Sequence, residues 1–147
     1  MKFPQWIRVF GSMEYRGACP VESAEQTTFF AELRRRWPDT LGRVAIHPRN
    51  EGKRTHRQTQ RHKMEGMCPG ASDIVIPGSP AFVCELKRRD HTKCKWEEDQ
   101  LPYLEAAEAQ GAWVCVALGW EAAMQAVEEW AKSQHLSPAP DRGRVGV

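Results

Sequence analysis

A chain of 147 residues with 21 basic and 19 acidic side chains, net charge +2 and 41% hydrophobic residues is the size of one domain with one core, which excludes two catalytic modules. Its longest apolar run, residues 112–118, is too short to cross a bilayer, and MKFPQWIRVFG lacks the basic, apolar and small-residue order of a signal peptide, so a cytoplasmic protein with no membrane partner is expected. Five cysteines at 19, 68, 84, 94 and 115, without a C-x-x-C pair, fit reduced thiols better than a disulfide framework or a zinc site.

Residues 1–19 mix Trp, Phe, Tyr and Gly without a period and read as an N-terminal extension with a packing or partner-contact role. From Pro20, ESAEQTTFFAELRRRW predicts a helix. Phe29, Phe30, Leu33 and Trp37 recur at helical spacing, Pro20 can open it and Pro38 stops it. Glu22, Glu25 and Gln26 extend the same stripe toward its start. RVAIHP, residues 43–48, predicts a short strand, RNEGKR a polar loop, and THRQTQRHKMEGM a short basic helix ended by Gly66. Between Arg43 and Lys63 stand seven Lys or Arg and three of the five histidines against the single acid Glu51. Such a run is as often a solvated face as a nucleic-acid contact. The histidines at 47, 56 and 62 read as phosphate-contact or surface residues, since no ligand spacing accompanies them.

ASDIVIPGSPAFVCELK, residues 71–87, then reads as two strands joined by a Pro-Gly-Ser-Pro turn. Successive strand side chains alternate in face, so Val83, Glu85 and Lys87 share one and Phe82, Cys84 and Leu86 the other. Pairing the runs brings Asp73 within about one residue of Glu85, where Cβ atoms lie roughly 5 Å apart. Two carboxylates that close repel unless a cation sits between them. RRDHTKCK is a charged connection, WEEDQLPYLEAAEAQ a helix capped by Gly111, WVCVAL a strand buried on both faces, and GWEAAMQAVEEWAKSQ a final helix with Met124, Val127 and Trp130 inward. Residues 135–147 read as a disordered tail. The order αβαββαβα predicts an α/β fold, a mixed central sheet flanked by helices.

Asp73, then eleven residues, then Glu85-Leu86-Lys87, with Gln100 on a helix and Gly111 before an apolar strand, resembles the PD-(D/E)xK, restriction-endonuclease-like nuclease superfamily. The VRR-NUC branch is similar in more detail: Glu22 stands four residues before Gln26 on the first helix, and Gly66 to Gly70 lead to the Asp. The likeness covers about residues 20–131, and residues 20–134 are expected to form one nuclease domain. Ser72 stands where the superfamily name has proline, and residues 47–52 are a looser version of the branch's Asn-Gly loop. The resemblance implies Asp73, Glu85, Glu22 and the backbone carbonyl of Leu86 as ligands of Mg²⁺ or Mn²⁺. It implies Lys87 as the group that orients or activates water, and Gln100 as an active-site neighbour. It also implies a stand-alone enzyme of the phage or prophage type, a homodimer that cuts double-stranded or branched DNA such as a Holliday junction. Hard oxygen ligands suit such cations. Arg49, Lys53, Arg54, Arg57 and Arg61 would then hold the DNA backbone.

Other readings stay open. Glu85 and Lys87 can be an edge-strand charge pair, Asp73 can close a turn, Glu22 can be a first-turn glutamate favoured by the helix dipole, and Glu25, on nearly the same face, is an alternative ligand. A catalytically inactive nucleic-acid-binding module of the same fold is the alternative function.

Overall fold

The computed structural model describes residues 1–49 and 55–135. In chain order these form β1 (Arg8–Phe10), α1 (Glu22–Arg36), α2 (Leu41–Val44), α3 (His56–Met64), β2 (Ile74–Ile76) and β3 (Phe82–Lys87). A 3₁₀ turn at His91–Lys93 leads to α4 (Gln100–Ala109), β4 (Trp113–Leu118) and α5 (Trp120–His135). The sheet order is β1-β4-β3-β2. β4 runs parallel to both β1 and β3, while β2 is antiparallel on the outer edge of β3. The expected mixed sheet flanked by helices is therefore present. Among the described residues no helix is long and apolar enough to cross a membrane.

β3 and β4 are buried along their whole length, and alternation sorts their side chains into two layers. Phe82, Cys84 and Leu86, beside Trp113, Cys115 and Ala117, pack under α1 and α5 through Phe29, Phe30, Leu33, Met124, Val127 and Trp130. Val83, Val114, Val116 and Leu118 face Ile7 and Leu104 of α4. The apolar stripes read for the first and last helices thus become one layer of the core. Glu85 and Lys87 belong by alternation to the α4 side, and both are buried there.

Two segments differ from expectation. The strand expected over 43–48 is a single bridge, Ile46 to Val75. Residues 41–44 turn instead as α2, because Gly42 lies so close to α1 that an added Cβ would stand 2.6 Å from the Arg34 Cα. Val44 and Ile46 are left exposed. Conversely, residues 1–19, read as an extension, contribute β1 to the sheet beside β4. Three residues on an edge carry no readable alternation. Lys53 and Arg54, the loop around them and the tail beyond 135 lie outside the described residues.

The N-terminal segment is tied to the chain that follows β3. Arg88 donates to the Cys19 and Pro20 carbonyls at 2.9 and 3.1 Å, and the Gly17 N–H donates to Asp90 at 3.0 Å. The Thr92 hydroxyl and N–H donate to the other Asp90 oxygen at 2.6 and 3.1 Å. The Thr92 hydroxyl first, and the Gly17 N–H next, hold the Asp90 carboxyl at about 2. The folded chain releases this proton at lower pH than the unfolded chain, which therefore binds more protons in between. The contribution of Asp90 to stability is complete above about pH 4 and is lost as pH falls through about 2. Asp90→Asn should unfold at lower temperature than the wild type at pH 7, and calorimetry should find that gap narrowing as pH falls from 5 toward 2.

Candidate active site

β2 and β3 pair with Ile74 opposite Cys84, so the next position along the ladder sets Asp73 opposite Glu85. The Asp73 carboxylate accepts the Leu86 N–H at 2.8 Å. A strand residue turns its N–H and C=O to the same edge, so the Leu86 carbonyl also faces the Asp73 side, whereas the Lys87 carbonyl accepts from Gly119 on the β4 side. His47, expected on the surface or at a phosphate, is half-buried and its Nδ1–H donates to the Asp73 carbonyl at 2.7 Å. A carbonyl oxygen only accepts, which fixes that ring's tautomer.

Glu85 is 1% and Lys87 2% exposed. Charges this deep need partners, and Gln100, the first residue of α4, supplies one to each. Its amide nitrogen donates to Glu85 Oε1 at 2.8 Å, and its oxygen accepts from Lys87 Nζ at 3.1 Å and from the Glu97 N–H at 2.9 Å. Lys87 also donates to the Lys95 carbonyl at 3.1 Å, with Glu85 Oε1 3.6 Å and Glu22 Oε1 3.8 Å from its nitrogen. Glu22 opens α1 and is partly exposed. Glu25, one turn on, faces elsewhere: its two oxygens accept the Arg89 guanidinium at 3.1 Å and the Trp120 N–H at 2.8 Å. Glu25 therefore clamps the start of α5, while Glu22 is the helix carboxylate on the Lys87 side.

These groups line a cleft of about 740 Å³ into which Glu22, Asp73, Lys87 and Gln100 open. Gly70, at φ +76°, lets the turn before Asp73 lie against the start of α4, where an added Cβ would be 2.1 Å from the Asp99 carbonyl oxygen. Both α1 and α4 begin at the cleft, so their N-terminal partial charges favour anions there. The far wall is α3, through Thr59 and Lys63. Arg57 and Arg61 are exposed on that helix and do not line the cleft, Arg61 pairing with Glu65 at 3.0 Å. Arg49 is exposed beyond His47.

The carboxyl pair is held in an uncomfortable state. Burial first, and the Asp73 carboxylate second, push the Glu85 carboxyl well above the usual range. Burial also raises Asp73, against the Leu86 N–H that lowers it. Glu85 Oε2 is buried with no hydrogen-bond donor. Two facing acceptors can be reconciled by a shared proton or by a cation. Among the described residues no group of three or more His, Cys, Asp or Glu could cage an ion. Two facing carboxylates, of which Asp73 borders the cleft, nonetheless offer the hard oxygen donors that suit a divalent cation whose remaining ligands are waters or substrate phosphates.

No protein-family model matches the chain, and no curated protein matches it by sequence. Among solved structures, a VRR_NUC domain protein superposes with a TM-score of 0.63 over 78% of this chain and 91% of the other, at 17% identity. The chain has the VRR-NUC fold.

Since Glu85 binds its proton more tightly in the folded chain, the folded state holds more protons between the two pKa values, and stability falls as pH rises through that window. Glu85→Gln removes the burdened charge and leaves an acceptor for Gln100. Its metal-free unfolding midpoint at pH 8 should exceed that of the wild type by on the order of 5 °C, the difference vanishing near pH 4. Added Mn²⁺ should raise the midpoint of the wild type and not of the variant.

Proposed function

We propose that the chain is a divalent-metal-dependent nuclease hydrolysing DNA phosphodiester bonds. The reading is carried by one observation: Glu85 Oε2 is buried without a donor opposite Asp73, two residues from a buried ammonium that opens into the same cleft. Asp73, Glu85 and the Leu86 carbonyl would hold Mg²⁺ or Mn²⁺, with Glu22 on the other side of Lys87. A cation bound there lowers the pKa of water and neutralises charge on the phosphodiester.

The remaining work falls to the chain itself. Gln100 keeps Glu85 and Lys87 in fixed relation, so neither swings out when DNA enters. The Lys87 ammonium orients the attacking water and offsets charge growing on the phosphate, and only interactions stronger in the transition state raise the rate. The N-termini of α1 and α4 attract the phosphate. Arg49, Lys53, Arg54, Arg57 and Arg61, with Lys63 on the cleft wall, would hold the DNA backbone beside the site. The family resemblance further supports a homodimer acting on branched or junction DNA.

Purified protein should cut linear, flap or four-way-junction DNA with Mg²⁺ or Mn²⁺ and not with EDTA. Lys87→Ala should keep its fold and most DNA affinity yet lose cleavage by about a hundredfold or more. Cleavage at the wild-type rate would reduce Glu85 and Lys87 to a charge pair. Failure of the wild type to cut any of these substrates while binding them would favour the inactive binding module.

The basic segment is tested by salt. Replacing Arg57 and Arg61 together by Ala should reduce the slope of log affinity against log salt by about 2. An unchanged slope in equilibrium titrations would move the DNA path off α3.

A further inference from the structure

The Lys87 side chain has four rotatable carbons and an ammonium that must be held in one place. Its hydrogen bonds to the Lys95 carbonyl and Gln100 fix two directions. Across another stands the face of Trp96, its ring centroid 5.8 Å from Nζ. That separation is within reach of cation–π attraction, which strengthens when the cation is desolvated, as Lys87 is.

Trp96 is itself fastened from the far end of the sequence. Its indole N–H donates to the Lys2 carbonyl at 2.8 Å. Phe3 meets the indole edge-on, with centroids 6.1 Å apart at 79°, and also contacts the His91 ring at 5.8 Å. His91 is buried and donates from Nε2 to the Met13 carbonyl at 3.1 Å. Because Trp96 directly follows Lys95, anchoring the indole also fixes the carbonyl to which Lys87 donates. A tryptophan that merely covered the surface would need neither the Lys2 hydrogen bond nor a place over the ammonium.

We infer that Trp96 is a positioning residue for the Lys87 ammonium and that residues 2 and 3 buttress it, so that the N-terminal segment completes the active site. The inference rests on the nuclease reading for its effect on rate, and on geometry alone for its effect on Lys87.

Two measurements on the full chain separate those dependences. In metal-free buffer, reductive methylation of Lys87 read by peptide mass spectrometry, with exposed Lys63 and Lys132 as internal references, reports how firmly the amine is held. Trp96→Leu should speed Lys87 methylation about tenfold, whereas Trp96→Phe, which keeps an aromatic face, should stay near the wild-type rate. In cleavage assays Trp96→Leu should lower kcat about tenfold with KM for DNA unchanged, and Trp96→Phe should restore most of it. Unchanged methylation and unchanged kcat in Trp96→Leu would overturn the inference. If that variant does not fold, Phe3→Leu decides: faster Lys87 methylation supports the buttress, and the wild-type rate overturns it. A wild-type protein that cuts no DNA overturns the nuclease reading, and methylation then decides the positioning role by itself.

Discussion

A carboxylate and an ammonium, two residues apart on one strand and nearly sealed from water, set the terms for the rest of the structure. An isolated charge in such surroundings is heavily disfavoured, and a pair is tolerated only when further hydrogen bonds complete it. The partners of Glu85 and Lys87 arrive from the start of α4, the carbonyl of Lys95, the start of α1 and the residue before β2. These segments are scattered over some eighty positions of sequence, and the fold brings them to one end of β3. Among the described residues, Glu85 Oε2 is buried within this network without a hydrogen-bond donor. In such a network an unmatched acceptor calls for a physical explanation, and a bound cation is the one proposed above.

The sheet topology explains why that end of β3 is open. β3 and β4 run parallel, and in α/β sheets the crevice outside the carboxyl ends of the strands is where connecting chain diverges and ligands enter. β2 covers only the first part of β3, so Glu85 and Lys87 lie past the last β2 rung with side chains and helix starts as neighbours. The two acids on α1 divide the labour. Glu25 binds Arg89 and the first N–H of α5, locking helix to helix, and this lock sets the register that leaves Glu22 beside Lys87. The N-terminal strand and its anchors at Gly17, Cys19 and Lys2 hold the chain from 88 to 96 against the same region. The segment read as an extension with a packing or partner-contact role is woven into the support of the site.

The hairpin, the two-sided burial of WVCVAL, the first and last helices, and the proximity of Asp73 to Glu85 were all legible in the order of residues. All of these follow from periodicity and from the turn at 77–80, which act over a few residues. The sequence also carried the ordered motif from which Gln100 could be singled out, though not the amide geometry that bridges acid and base. Features that depend on backbone groups and distant partners emerged only on folding. Residues 8–10 are a strand because β4 offers them an edge, and residues 43–48 are not, because α2 packs against α1 at Gly42. Glu22 and Glu25 were equivalent on a helical wheel and became different only when Arg89 and α5 took one of them. His47, Lys95 and Trp96 enter the site through a ring nitrogen, a carbonyl and a ring face. The first two find their partners 26 and 8 positions away, and the Trp96 ring that faces Lys87 is held by an indole hydrogen bond to a carbonyl 94 positions away. Pattern in a sequence reports which side chains prefer to be buried; it does not report which backbone oxygen a buried charge will find, because that is decided by packing of the whole chain.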